Sequence, residues 1–194
     1  MVKAAVSTLL FVVFATGAVH RAKAYRGSDK FDRRNEGWAP LILIRLFGLA
    51  TAVSVWRAFA HAGDGASNWL GVAVTAAGSA LLVSMFVTLG HNLTDTVQTR
   101  ASAQFVRHGP YRFIRNPMYT GILVFSTGLG LALNSVWVAI FGTATFAMLA
   151  IRTRTEEKFL RGRFGAQYKN YMYEVGRFFP RITPAGDRAA TKSR

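Results

Sequence analysis

The sequence predicts an all-α protein, a polytopic bundle of about five transmembrane helices with a helical segment continuing into the cytosol after the last span. Three observations carry this reading. The 194 residues are 51% hydrophobic yet hold a formal net charge of +15, so apolar and basic residues must be segregated along the chain. The apolar residues gather in blocks of about twenty, the length a helix needs to cross ~30 Å of hydrocarbon. The charges collect between those blocks.

Taken in order, spans are expected over about 6–19, 40–60, 69–89, 119–133 and 136–151, within one membrane domain covering residues 1–194. Arg45 and Arg57 fall inside or at the edge of the second block. Only Asn134 and Ser135 separate the last two blocks, too few residues for anything but a tight helical hairpin. Residues 183–194 are polar and basic and are expected to form a frayed tail. The start admits another reading, because a short apolar run followed by Ala22-Lys23-Ala24 is similar to a cleavable signal peptide. Against it, only Lys3 precedes the run while basic residues crowd after it, the reverse of a signal peptide's charge order. Cleavage would leave four spans and the same second half.

Lysine and arginine near span ends are retained on the cytosolic face, which orients the bundle. Segment 21–39 holds six (Arg21, Lys23, Arg26, Lys30, Arg33, Arg34), segment 90–117 holds four, and the chain from Arg152 onward holds eleven. The opposite face holds Lys3, and 61–68 holds none. An outside N-terminus and a cytosolic C-terminus satisfy the rule in every loop, and the alanine- and glycine-rich spans point to a bacterial inner membrane. Topology thereby accounts for the positive charge, so a nucleic-acid partner is not expected. With no cysteine, disulfides, thiolate metal sites and a cysteine nucleophile are excluded. The histidines, at 20, 61, 91 and 108, lack metal-ligand spacing, and no metal is expected. Gly128-Leu129-Gly130 lies inside a span with no preceding strand, so small-residue helix packing explains it better than dinucleotide binding.

The chemistry-bearing stretch runs from Gln104 to Tyr119, just before the hairpin. Gly109-Pro110 and Asn116-Pro117 each disfavour helix at the residue before proline, so the backbone there kinks and leaves amides and carbonyls in need of partners. At membrane depth a polar cavity or bound ligand can supply them; an ordinary interfacial loop anchored by Arg and Tyr is the plainer alternative. A second constellation follows the last span. Arg152 and Glu156 are four apart, so on a continuing helix they share one face, presenting a cation and an anion to one pocket or forming a simple surface pair. Glu157 and Lys158 are expected to be such surface charges. Nine acidic residues stand against twenty-four basic ones, so adjacent carboxylates in the most basic region call for an explanation. A cationic ligand would supply one, since a carboxylate suits the ammonium or ribose hydroxyls of a nucleoside cofactor and a boundary arginine suits an anionic head group.

From Leu89 to Pro180 the chain resembles the isoprenylcysteine carboxyl methyltransferases and the wider group of membrane methyltransferases that includes phospholipid N-methyltransferases. The resemblance lies in Leu89-Gly90 closing a span, Gly109-x-Tyr111-x-x-x-Arg115-x-Pro117-x-Tyr119 opening the next, the hairpin, Glu156-Glu157, Phe164-Gly165-x-x-Tyr168 and Arg177-Phe-Phe-Pro180. It implies a cytosol-facing pocket for S-adenosylmethionine, built from the half spanning 89–180, with a lateral opening for a lipophilic small-molecule or lipid acceptor. By position, Gln104, Val106, Tyr111, Arg115, Asn116, Pro117 and Tyr119 would bind the cofactor, with Glu156 holding its polar part. Arg152 falls where the family places an arginine near the acceptor, which it would orient. One departure stands out. The family commonly has histidine after the motif's arginine, whereas this chain has Asn116, which can exchange hydrogen bonds but cannot take a proton at neutral pH. The donor is already activated, so positioning dominates and no catalytic base is assigned. Two other classes remain: an NADPH-dependent reductase of sterol-reductase type, and a non-catalytic protein whose basic tail adheres to anionic membrane lipids. The acceptor stays open between a prenylcysteine carboxylate, a phospholipid amine, a thiol and an isoprenoid acid.

Overall fold

The computed structural model describes residues 1–25, 38–61, 68–90 and 105–181. These form five helices: α1 (Val2–Tyr25), α2 (Trp38–His61), α3 (Trp69–Leu89), α4 (Pro117–Ala132) and α5 (Val136–Glu174). The chain is an integral membrane protein: α1, α2, α3 and α5 are long and apolar enough to cross a bilayer, and α4 is a shorter apolar helix. Several limits differ from the sequence reading for local reasons. Pro117 sits at the first helical position of α4, where its missing N–H costs nothing, so this helix starts two residues before the expected 119. α5 runs on past the span expected to end at 151, as the helical segment expected after the last span: the charged residues after Ile151 continue the helix rather than ending it.

The bundle's tightest seam joins α3 to α4, and small residues make it. A Cβ at Gly71 would collide with the Ala132 backbone, one at Gly78 with Phe125, and one at Gly128 with Thr75. Without an oil–water driving force between helices in lipid, such close backbone approach supplies the van der Waals contact that holds them. Gly128-Leu129-Gly130 is all buried, as the packing reading expects: Gly128 lies in this seam against Thr75, and a Cβ at Gly130 would press on Ser135 and Ala139 at the start of α5. Hydroxyls buried here are satisfied locally: Thr75 donates to the Gly71 carbonyl at 2.7 Å and Ser79 to that of Thr75 at 2.8 Å. A bilayer offers no other partner. α1 packs mainly on α3, and α2 on α5.

Leu133 to Ser135 turn the chain between α4 and α5, with Asn134 at φ 52°. Asn tolerates this left-handed conformation better than most residues. α5 holds non-helical geometry inside it at Gly165 (φ 53°), a positive φ that favours glycine. The straight leg 136–164 is about 43 Å long at 1.5 Å per residue, so it crosses the hydrocarbon and projects beyond it. The leg after Gly165 then turns back over the end of the bundle. There it meets residues 105–116, which hold only a single 3-10 turn at Gly109–Arg112.

Candidate active site

Glu156 lies about 30 Å along α5 from its start, and Tyr119 about 20 Å from the end of α4. Side chains on a helix lean toward its N-terminus, so Tyr119 reaches outward from the membrane and Glu156 reaches inward. They meet: the Tyr119 hydroxyl donates to Glu156 Oε1 at 2.6 Å. One turn below, Arg152 Nε approaches the same oxygen at 3.5 Å. The pocket-facing and surface-pair readings of this i,i+4 couple thus merge, for the pair faces α4 and Glu156 is only 21% exposed.

Tyr111 lies beside this group. Its ring packs against the buried Met85, as do Phe86, Leu89 and Met118, and its carbonyl accepts the Tyr171 hydroxyl at 2.6 Å. Burial pushes its phenol well above the usual tyrosine range, with the Tyr171 phenol and the Glu156 charge adding to the effect. It therefore stays a neutral hydrogen-bonding group at physiological pH. Burial likewise raises the phenol of Tyr171, against the lowering influence of Arg115 and Arg107.

The expected residues divide into two sets. Tyr111, Tyr119 and Arg152 gather around the Glu156 carboxylate. Arg115 and Asn116 point elsewhere: the Arg115 guanidinium bonds the Met172 carbonyl at 3.0 Å and pairs with Glu157 at 3.1 Å, and Asn116 Nδ2 donates to the Arg177 carbonyl at 3.3 Å. Pro117 is fully buried at the start of α4. Val106 lies between two tethers, Phe105 and Arg107. The Phe105 ring sits 5.2 Å from both Phe164 and Tyr171 and 5.8 Å from Tyr168, while Arg107 pairs with Glu174 and stacks over Tyr171. Gln104 lies outside the described residues, as does the tail from 183 to 194.

One expectation is corrected outright. Glu157 is not a surface charge; it is 3% exposed and clasped by two arginines, Arg115 and Arg177. Arg177 grips it with two of its nitrogens, Nε to Oε1 at 3.2 Å and a terminal nitrogen to Oε2 at 2.6 Å. The scarcity of acidic residues was the signal that could have found it: a carboxylate next to Glu156 in so basic a chain needs cationic partners. The role of Arg177 was invisible, because it depends on the chain returning to α5 after Glu174.

Fold and site together define a helical membrane protein whose polar site is gathered at the open end of a helical hairpin. Residues 66–167, just over half of the chain, match the phospholipid methyltransferase family, and the chain belongs to that family. It is 31% identical over 121 residues to the protein-S-isoprenylcysteine O-methyltransferase of Tribolium castaneum, covering 59% of this chain and 43% of that one. It is 26% identical over 177 residues to protein-S-isoprenylcysteine O-methyltransferase B of Arabidopsis thaliana, covering 86% of this chain and 87% of that one. Among solved structures it is similar to the eukaryotic intramembrane Ras methyltransferase, an isoprenylcysteine carboxyl methyltransferase, with a TM-score of 0.53 and 25% identity. That likeness covers 77% of this chain and 55% of the solved one, so this chain spans about half the length of two of these three relatives. The resemblance read from the motifs is confirmed.

Proposed function

We propose that this chain transfers a methyl group from S-adenosylmethionine to a lipophilic acceptor that reaches the site from the bilayer. The observation that carries the reading is the convergence of Tyr119 and Arg152 on one oxygen of Glu156. A carboxylate oriented by a phenol and a guanidinium is a ready acceptor for the ammonium or ribose hydroxyls of a nucleoside sulfonium. The phenols of Tyr111 and Tyr119 add polarisable ring faces, which suit a cationic donor. The donor set therefore fits the cofactor: Glu156, Tyr111 and Tyr119 would hold it, with Val106 and Pro117 beside them. When bound, this cofactor supplies an already activated methyl group. The chain's own residues then have to orient the acceptor, exclude water and keep the carboxylate in place.

Arg152, a turn deeper in α5 and 10% exposed, is placed to orient an acceptor's anionic end. A prenylcysteine carboxylate is the first acceptor to try, since the Tribolium and Arabidopsis relatives are named for isoprenylcysteine and the solved structure for its carboxyl group. The basic loops orient the site toward the cytosol of a bacterial cell. Every named relative above is a methyltransferase, which leaves the reductase reading without support.

The test is incubation of the purified protein, in bilayer discs of bacterial lipid, with a deuteromethyl-labelled donor and farnesylated cysteine. The reading predicts labelled methyl on the farnesylcysteine or on a disc lipid, found by mass spectrometry. Arg152→Ala is expected to lose that transfer while keeping its affinity for the donor. No labelled product from either acceptor pool would contradict the reading.

A further inference from the structure

Glu156 and Glu157 are neighbours in sequence and face different partners. Successive residues of a helix point about 100° apart, so while Glu156 meets Tyr119, Glu157 meets Arg115 and Arg177. What these arginines carry matters. Arg115 belongs to the segment that leads into Asn116, Pro117 and Tyr119. Arg177 belongs to a strap, residues 175–178, that follows the last turn of α5.

Strap and segment are joined directly. The Arg115 amide donates to the Gly176 carbonyl at 2.8 Å and the Asn116 amide to the Arg177 carbonyl at 3.0 Å, flanking a parallel bridge between Ile114 and Gly176. The Thr120 hydroxyl donates to the Phe178 carbonyl at 2.8 Å, and the Phe178 ring sits edge-on to Phe146 of α5 at 5.2 Å. Gly176 is required here, because a Cβ would collide with the Phe179 carbonyl. The segment preceding α4 is thus bound on one side by the strap, and Glu157 ties both to α5.

We propose that Glu157 is a positioning residue, acting through Arg115 and Arg177 to hold the Asn116–Tyr119 stretch against Glu156. The inference rests on the methyltransferase reading and divides its two carboxylates: Glu156 for the ligand, Glu157 for the frame. Stability alone does not account for the clasp. A buried ion pair is commonly replaceable by apolar residues without loss, and its best-attested use is to specify registry. Here it specifies the register between α5 and the segment that opens α4.

Arg177→Gln is the variant of choice. Arg177 is 39% exposed, and its removal leaves the Glu157–Arg115 pair intact, so the fold is retained. Two readouts are taken together: amide hydrogen exchange at Arg115 and Asn116, and affinity for S-adenosylhomocysteine alongside turnover at saturating donor. The proposal expects faster exchange at both amides and affinity weakened about tenfold, equivalent to about 1.4 kcal/mol. Saturated turnover should stay within about twofold, and Arg177→Lys should recover most of the affinity. Unchanged affinity despite faster exchange would overturn the proposal, since the clasp would then be structural only. Lost saturated turnover at unchanged affinity would overturn it too. A wild-type protein that binds neither donor nor product would instead bring down the methyltransferase reading, and this proposal with it.

Discussion

The two halves of the molecule solve the same packing problem in different ways. α1 and α2 leave much of their apolar surface uncovered: Phe11, Phe14, Leu49 and Trp56 are all exposed, and Gly48 has nothing within 4 Å of where a Cβ would stand. α3 and α4 instead meet backbone to backbone through glycines that tolerate no side chain. The first pair needs lipid to cover it and little else from its sequence beyond length and hydropathy. The second needs particular residues, because it holds the Tyr111 and Tyr119 side of the site at a fixed distance from α5. The family match begins at residue 66 and covers this second half.

Substitution can break that contrast or sharpen it. The largest effect is expected at Glu157→Gln, which leaves two guanidiniums facing each other with Arg115 only 8% exposed. Removing one partner of a buried pair costs about 3–5 kcal/mol, so the variant should unfold at much lower temperature in detergent. Gly78→Leu follows, with a cost of about 1–3 kcal/mol or more from forced backbone separation, read by the same thermal scan. Tyr171→Phe comes next; it strips the hydroxyl from the Tyr111 carbonyl, a loss of about 1 kcal/mol. Gly48→Leu is the control from the first half and should change stability by less than about 0.5 kcal/mol. If Gly48→Leu proved as damaging as Gly78→Leu, the two halves would not differ as described.

Much of this was legible in the residues. Apolar blocks of membrane-crossing length gave the helices, and Gly109-Pro110 with Asn116-Pro117 marked where regular helix would fail before α4. Helix periodicity placed Arg152 and Glu156 on one face, and they pair. The rest needed distances between segments far apart in sequence. Which of two adjacent carboxylates is buried depends on what surrounds α5, and the partners of Glu157 lie 42 residues before it and 20 after, 157 − 115 and 177 − 157. The aromatic cluster of Phe105, Phe164, Tyr168 and Tyr171 was equally hidden, because it forms only once the chain turns at Gly165. Arg115 illustrates the limit best: the motif marks its position, and only the fold reveals that its guanidinium serves Glu157 and the Met172 carbonyl.

The most direct measurement is calorimetric titration of the purified protein, in mild detergent, with S-adenosylmethionine, S-adenosylhomocysteine and NADPH, with Glu156→Ala alongside. The account predicts micromolar binding of the first two, weakened at least about tenfold in Glu156→Ala, a loss of about 1.4 kcal/mol or more, and no binding of NADPH. Binding of NADPH alone, or methyl-donor affinity untouched by Glu156→Ala in a folded sample, would contradict it.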